Sequence, residues 1–265
     1  MVKLVDASVQ SFSLTYHVYF IEWRYRANSM YNSYIFDLYG TLIDIHTDEE
    51  DPMIWDRLSY HFLYSGYSIK PNVLKNQYRS EVTRQISTPL IECEFPELDI
   101  QLIFKNIIAE LGYIPEENWL DETVRWFRLL SIRSLKLYDG VKETLSTLKD
   151  RNKKIYLLSN GQTAFVEAEM RILGITDYFD GIAISSNPGI CKPDPLFYAY
   201  LADTFNVDLS SAIMIGNDAT TDIAGANRMG MDACYYHSNC SPETETVDCK
   251  HQIWDGDFRR ILELG

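Results

Sequence analysis

Asp37 ends a short run of aromatic and β-branched residues, and the pair Gly40 and Thr41 follows shortly after it. This pattern predicts a carboxylate at the carboxyl end of a buried strand, directly before a tight turn. A carboxylate in that position could be the nucleophile of a reaction with a covalent intermediate. Gly40 would let the backbone turn, and Thr41 could offer its hydroxyl and its N–H group to an oxyanion.

Two later apolar runs also end near polar residues. Ser159, Asn160 and Gly161 close the second run, and Lys192 stands after the third, just before a predicted helix start. We expect Ser159 and the N–H groups near Asn160 and Gly161 to bind anionic oxygens of a substrate. Lys192 would supply a positive charge that stabilises the substrate and orients Asp37.

Acidic and amide side chains follow the fourth run, where Asn217 and Asp218 are adjacent and Asp222 comes shortly after. Asp37 and Asp218 would give two hard oxygen ligands, which suit an octahedral Mg²⁺ that keeps several waters. The backbone carbonyl of Tyr39 would be a further ligand. Either Asn217 or Asp218 could face the metal, and Asp222 could hold its waters from behind.

Each of these residues also has an ordinary structural explanation. An aspartate after a strand often caps a helix, a Ser-Asn-Gly sequence is a common turn, and Lys-Pro occurs in many loops. Parallel strands, however, bring their carboxyl ends to one edge of a sheet, which is where ligands bind. The group as a whole therefore favours a functional site.

The elements that would position these residues alternate along the chain. Apolar runs typical of strands occupy 33–37, 154–160, 181–186, 212–217, 232–237 and 252–254. Helical patterns between them occupy 139–152, 163–174, 194–205 and 221–230. This alternation predicts an α/β fold with a Rossmann-like, doubly wound parallel sheet and right-handed crossovers.

The segment 48–135 differs from the rest because its apolar periodicity is helical throughout, which predicts an inserted α-helical cap domain. The core would then comprise 30–47 and 136–265. Residues 1–29 precede Met30 and are too short and too charged in their apolar part to span a bilayer. We expect this extension to be a misassigned start or an appendage, with an added edge strand from Tyr16 to Trp23 as the alternative.

Composition restricts the partners of the protein. The chain has 265 residues, a formal net charge of −14 and 46% apolar residues, enough for a sizeable core. The acidic balance disfavours nucleic acid and anionic membranes but permits a small anionic substrate bound by local positive charge or a metal. The five cysteines show no metal-ligand spacing and fit a reducing, cytoplasmic setting. We expect a monomer or a homodimer.

Four segments resemble, in order, the motifs of the haloacid dehalogenase-like (HAD) hydrolase superfamily. They are FDLYGTL with Asp37, LLSNG with Ser159, SSNPGICKPDPLFY with Lys192, and IGNDATTDIAGA with the acidic cluster. The resemblance covers residues 33–258. It implies an HAD-like core, a helical cap between the first two motifs and a nucleophilic Asp37.

Tyr39 departs from the pattern of the phosphatases that this chain resembles. They normally carry a second aspartate two residues after the nucleophile, which protonates the leaving group and then activates water. A tyrosine, with a usual pKa of about 10, is a poor substitute. General acid–base catalysis typically contributes about 10²–10⁴ in rate, so its loss would be serious. His46, a little further along the chain, is an alternative acid.

The dehalogenase branch of the superfamily does carry a tyrosine at the position of Tyr39, and Tyr198 also matches that branch. Displacing a halide requires no proton for the leaving group. That branch works without a metal and has small polar residues in the fourth motif, where this chain has Ala219. It also receives the halide with an arginine from the cap side, for which Arg79 and Arg84 are candidates.

The first motif thus favours a dehalogenase and the fourth a Mg²⁺-dependent phosphohydrolase. We give the fourth more weight, because carboxylates gathered around Asp37 would repel one another without a cation. The resemblance implies hydrolysis of a small phosphorylated metabolite through a phospho-aspartate. The predicted catalytic residues are Asp37, Tyr39, Thr41, Ser159 and Lys192. The alternatives are a metal-free 2-haloacid dehalogenase and a weakly active or inactive relative that serves as a binding module.

Overall fold

The structure is a computed structural model that describes residues 30–243 and 246–264. The predictions for residues 1–29, an appendage or an added edge strand, lie outside the described residues. In chain order the strands are β1 (Ser33–Phe36), β2 (Ile43–Thr47), β3 (Ile132–Leu137), β4 (Lys154–Ser159), β5 (Gly181–Ile184), β6 (Ala212–Gly216), β7 (Asp232–Tyr236) and β8 (His251–Ile253).

Six of these strands form one parallel sheet in the order β5-β4-β1-β6-β7-β8. The central strand β1 is buried on both faces: Phe36 packs into one apolar cluster and Ile35 into another. Strands covered on both faces read as continuous apolar runs, which is why the sequence identifies them. The predicted α/β class with a Rossmann-like parallel sheet is confirmed.

The helices lie on both sides of the sheet and in the insert. They are α1 (Pro52–Tyr64), α2 (Pro71–Ser87), α3 (Ile100–Glu110), α4 (Glu117–Ser131), α5 (Val141–Asp150), α6 (Thr163–Leu173), α7 (Pro195–Phe205) and α8 (Ala224–Arg228). Among the described residues, no helix is long and apolar enough to cross a membrane.

Helices α1–α4, which we call the cap, have an apolar core of their own. Leu58, Phe62, Phe104 and Phe127 are fully buried there, on the helical stripes that the sequence shows. Helix α1 begins where Asp51 accepts a hydrogen bond from the N–H of Met53 at 2.9 Å. The domain boundary at 48–135 stays a prediction.

Two aromatic residues of the cap lie outside its core and are exposed. The side chains of Tyr60 and Tyr64 are 66% and 96% accessible. Both lie on the outer face of α1, off the stripe formed by Leu58 and Phe62. Their position on the helix, and not their aromatic character, therefore decides that they are uncovered.

The cap joins the core through an antiparallel pair, β2 and β3, which the sequence analysis did not predict. Ile43 pairs with Leu137 and Ile45 with Leu135, and a bulge follows at His46. The chain enters the cap from β2 and returns from it through β3. Short strands whose outer ends are exposed lack the continuous apolar pattern of the central sheet, so sequence periodicity does not reveal them.

Candidate active site

Asp37 lies directly beyond β1 and is buried, with 6% of its surface accessible. Its N–H donates to the carbonyl of Ile215 on the neighbouring strand β6 at 2.9 Å, which fixes the end of the strand. The chain then turns at Gly40, whose φ is +84°. A Cβ atom at Gly40 would lie 2.3 Å from Asn217 Nδ2, so glycine is required both for the turn and for this close approach.

Lys192 lies against the nucleophile candidate and is almost completely buried. Its Nζ is 2.6 Å from Asp37 Oδ1, 2.7 Å from Asp222 Oδ1 and 2.7 Å from the carbonyl oxygen of Leu158. Burial alone would lower the pKa of the Lys192 amine, but the carboxylates of Asp222 and Asp37 raise it above its usual value. Lys192 is therefore charged, and each of its three ammonium protons has an acceptor.

Asp222 is positioned by a single turn of π-helix, Ala219–Ile223, that precedes α8. Its Oδ2 accepts from the N–H of Asp218 at 3.0 Å, and its backbone carbonyl accepts from the hydroxyl of Tyr198 at 2.9 Å. A Cβ atom at Gly216 would lie 2.2 Å from Asp222 Oδ2. Burial raises the pKa of Asp222 and the charge of Asp37 raises it further, while Lys192 opposes both.

Thr41 connects the first and fourth motifs. Its Oγ1 lies 3.0 Å from Asp37 Oδ2 and 3.2 Å from Asn217 Oδ1. A hydroxyl has one proton and can donate to only one of these oxygens at a time. Two hard oxygen atoms thus lie close to the same hydroxyl, and at any moment one of them receives no proton from it.

Asp218 has a different geometry from Asn217. Its Oδ1 accepts from the N–H and hydroxyl of Thr220, both at 2.7 Å, and from the N–H of Thr221 at 3.3 Å. One oxygen of Asp218 therefore caps the π-helical turn. Asn217, by contrast, is buried beside Thr41 and Gly40.

Asn160 holds the backbone that carries Lys192. Its Oδ1 accepts from the N–H of Lys192 at 2.8 Å, and its Nδ2 donates to the carbonyl of the same residue at 3.1 Å. The N–H of Gly161, which was expected to face an oxyanion, donates to Ser185 Oγ at 2.8 Å. Ser159 is fully buried, and its Oγ has a long contact of 3.5 Å with the carbonyl of Asn160.

Tyr39 borders the site with its ring but directs its hydroxyl elsewhere. The hydroxyl donates to Glu169 Oε2 on α6 at 2.7 Å, and Arg128 Nε of the cap lies 2.6 Å from Glu169 Oε1. The Arg128 guanidinium also lies over the Tyr39 ring, 5.3 Å from its centre. Burial and the charge of Glu169 raise the pKa of Tyr39 well above its usual value.

Arg128 and Glu169 were missed by the sequence analysis. Arg79 and Arg84, the cap arginines chosen there, pair instead with Glu50 and Glu81. Glu169 could have been noticed, because it shares the buried face of α6 with apolar neighbours. An acid on such a face needs a partner. No motif distinguishes Arg128 from other arginines of the cap.

A cleft of about 220 Å³ opens at this edge of the sheet. Its charged lining residues are three carboxylates, from Asp37, Asp218 and Asp222, and one ammonium, from Lys192. Its other lining residues are Tyr39, Asn160, Asn217, Thr221, Cys240 and Pro242. The structure thus brings together most of the residues that the sequence singled out, with Thr41, Ser159 and Gly161 close behind.

This donor set fits a hard divalent cation. The negative charge of the lining exceeds the charge that Lys192 supplies, and Asp37 Oδ2 and Asn217 Oδ1 both approach the Thr41 hydroxyl. Carboxylate and amide oxygens are the ligands that Mg²⁺ takes in proteins. Asp222 is only 1% accessible and is held by Lys192 and by the N–H of Asp218, which suits a supporting place behind the direct ligands.

The sheet order, the strand-end aspartate and the buried lysine agree with the resemblance of the sequence to the HAD superfamily. Residues 31–230 match the profile of a family described as haloacid dehalogenase-like hydrolase. Because the match spans most of the chain, the protein belongs to this family.

Similar proteins include both phosphatases and dehalogenases. The chain is 31% identical over 118 residues to a ribulose-1,5-bisphosphate 5-phosphatase of Halopiger xanaduensis, covering 44% of this chain and 49% of that one. It is 33% identical over 109 residues to a pyrimidine 5'-nucleotidase of Escherichia coli, covering 38% and 48%. It thus spans about half the length of these curated relatives.

Among solved structures, a 2-haloacid dehalogenase from Pseudomonas syringae superposes with a TM-score of 0.60. Its sequence identity is 21%, and the match covers 88% of this chain and 97% of that one. At this identity the similarity shows the fold alone.

Proposed function

We propose that the protein is a Mg²⁺-dependent phosphohydrolase that acts on a small phosphorylated metabolite through a phospho-aspartate at Asp37. The observation that carries this proposal is the charge of the cleft. Three carboxylates face one buried lysine there, and Asp37 and Asn217 each bring an oxygen close to the Thr41 hydroxyl. A cleft that binds a phosphate must offset this negative charge, and a divalent cation does so.

The residues that would hold the ion are Asp37, the carbonyl of Tyr39 and Asn217 or Asp218, with Asp222 behind them. When bound, Mg²⁺ supplies positive charge to the phosphoryl oxygens and helps to orient them. Asp37 attacks phosphorus with a carboxylate oxygen, and the bond to the leaving group breaks. Lys192 holds Asp37 in place through the 2.6 Å contact with Oδ1. Water then attacks the phospho-aspartate, releasing phosphate and restoring the carboxylate.

Tyr39 limits the kinds of leaving group that such an enzyme handles well. Its hydroxyl is committed to Glu169, so no acid is placed at the position two residues after the nucleophile. Leaving groups that need no proton, such as those of acyl phosphates, pyrophosphates and aryl phosphates, should therefore react faster than sugar or alcohol phosphates. Hydrolysis of the phospho-aspartate should also be slow, which would give an initial burst of product.

A substrate screen tests this proposal. Purified protein is assayed on phosphorylated metabolites, aryl phosphates and 2-haloacids, with Mg²⁺ and again in EDTA. We expect turnover of phosphate esters with Mg²⁺, its loss in EDTA and its recovery when Mg²⁺ is restored. Asp37→Asn should abolish turnover, while Asp56→Asn on the exposed face of α1 should not. Asp37→Asn with near-normal activity would contradict the mechanism.

A metal-free dehalogenase is the second candidate, and Tyr39 is the observation that favours it. The structure adds Arg128 as a cap arginine beside that tyrosine. Full activity on a 2-haloacid in EDTA would establish this function in place of the first. Tight binding of a phosphate ester without turnover would instead favour a binding module.

A further inference from the structure

Three side chains of different metal-ligating types meet outside the residues assigned to the reaction. Asp44 and His46 lie on β2, and Cys240 lies in the loop after β7. One ligand atom from each residue lies within 4.8 Å of the others. We propose that Asp44, His46 and Cys240 bind a transition-metal ion of the Zn²⁺ class at a site separate from that for Mg²⁺.

The spacing of the ligand atoms is close to that of a tetrahedral site. With zinc–ligand bonds of about 2.0–2.3 Å, neighbouring ligand atoms lie about 3.3–3.8 Å apart. Asp44 Oδ1 is 3.2 Å from His46 Nε2 and 3.6 Å from Cys240 Sγ. Two of the three distances between the protein ligand atoms are thus close to those of a tetrahedral site. A small rotation of the His46 side chain, which is 56% accessible, would bring the third distance, from His46 to Cys240 Sγ, into the same range.

The donor types select the class of ion. A thiolate and an imidazole prefer Zn²⁺ and related transition metals to Mg²⁺, which prefers oxygen ligands. Three protein ligands with one open side leave room for a water, since His46 faces solvent. The Asp37 cleft offers mainly oxygen ligands, so the two sites differ in the metal that they favour.

The surroundings of Asp44 would support a bound ion. Its carboxylate is 8% accessible, and Lys136 Nζ lies 3.3 Å from Oδ2, whereas His46 and Cys240 contact Oδ1. Asn239 Nδ2 donates to Oδ1 at 3.2 Å and is itself oriented by the Tyr138 hydroxyl at 2.7 Å. An ion would replace the amide at Oδ1, while Lys136 would remain on the other oxygen.

The position of Cys240 places the ion at the edge of the active-site cleft. Cys240 lines that cleft, and Ser238 of the same loop donates to the carbonyl of Gly40 at 2.6 Å. An ion bound here would join β2 to the loop that forms one wall of the cleft.

Cobalt provides the test, because a cobalt–thiolate bond gives a near-ultraviolet charge-transfer band. The full chain is stripped of metal, reduced, and titrated with Co²⁺ in excess Mg²⁺, which occupies oxygen sites. We expect one equivalent of Co²⁺ to give the band, and Zn²⁺ to remove it by competition. Cys240→Ser should abolish the band, whereas Cys93→Ser should leave it intact.

The affinity gives a second measurement. His46→Ala should weaken Co²⁺ binding by at least about 10-fold, which is what loss of even an indirect metal contact commonly costs. His46 is exposed, so this variant should fold, as circular dichroism would verify. Absence of the band in the unaltered protein, or a band that survives in Cys240→Ser, would overturn the proposal.

Discussion

The hydroxyl of Tyr39 donates a hydrogen bond to Glu169 at 2.7 Å, and this bond turns it away from Asp37, two residues earlier. Arg128 of the cap lies 2.6 Å from the same glutamate. The position that usually carries an acid in related phosphatases is therefore occupied by a residue that joins the core to the cap. This arrangement gives Tyr39 a structural role independent of proton transfer.

Tyr39→Asp tests whether the missing acid limits the reaction. A carboxyl group that reaches the leaving oxygen should speed hydrolysis of alkyl phosphates by up to about 10², because general acid catalysis is commonly worth that much. Aryl phosphates, whose leaving groups need little protonation, should gain much less. The ratio of kcat/KM for the two substrate classes measures the effect.

Tyr39→Phe is the matched control, since it keeps the ring and removes only the bond to Glu169. We expect it to leave the ratio between the two substrate classes unchanged. If Tyr39→Asp altered both classes equally, the explanation based on the leaving group would be discarded.

Asn217 and Asp218 can be distinguished as metal ligands by a pair of substitutions that preserve shape. Asn217→Asp should lower the Mg²⁺ concentration for half-maximal activity, because it adds charge to an oxygen that already faces Thr41. Asp218→Asn keeps an oxygen that can cap the π-helical turn, so it should change both this Mg²⁺ concentration and the free energy of unfolding little. Mg²⁺ titrations of activity and urea unfolding of both variants provide the measurements. The opposite pattern would make Asp218 the ligand.

Asn160 should act through the backbone of Lys192 without touching substrate. Asn160→Ala removes both hydrogen bonds to that backbone and should lower kcat by about 10–100-fold, the cost of a small misplacement of a catalytic group. KM should change less, because the charge of Lys192 remains. Asn187→Ala, which removes a surface contact with Thr163, is the control. A change confined to stability would make Asn160 a purely structural residue.

Asp180 should make part of the stability depend on pH. Burial raises its pKa, but hydrogen bonds from the Ile155 N–H and from Lys149 and Lys154 outweigh this and lower it to about 2. A lowered pKa in the folded state gives stability that is present above about pH 4 and lost as the pH falls toward 2. Solvent screens this surface group, so we expect about 1 kcal/mol.

Urea unfolding of Asp180→Asn and of the unaltered protein, compared from pH 7 to pH 3, measures this contribution. The difference in the free energy of unfolding should shrink as the pH falls. Asp177→Asn, on the exposed turn nearby, should show no such trend. A difference that is constant with pH would contradict the assignment.

The central sheet and the grouping of Asp37, Lys192 and Asp222 could be predicted because both follow from local pattern. Buried parallel strands produce apolar runs, and parallel topology places their ends together. The pairing of β2 with β3 and the contact between Arg128 and Glu169 could not. Each depends on segments distant in sequence whose local composition does not require the partner.

Hydrogen bonds within the fold also explain why one backbone N–H has a different partner from the one that the sequence analysis predicted. The Gly161 N–H was expected to face an oxyanion, yet it donates to Ser185, a residue that the sequence analysis did not consider. A sequence motif indicates which groups are near a site. It does not show which of them have been satisfied by a neighbour.

The β2–β3 pair has a consequence for how the cap can move. Both crossings between cap and core run side by side through one hydrogen-bonded ribbon, from Ile43 to Thr47 and from Ile132 to Leu137. Such a ribbon bends more readily than it shears, so the cap should swing about a single axis. Separation of Arg128 from Glu169 would accompany that swing. The cleft above Asp37 would then open on the side opposite the β2–β3 ribbon, which would act as the hinge.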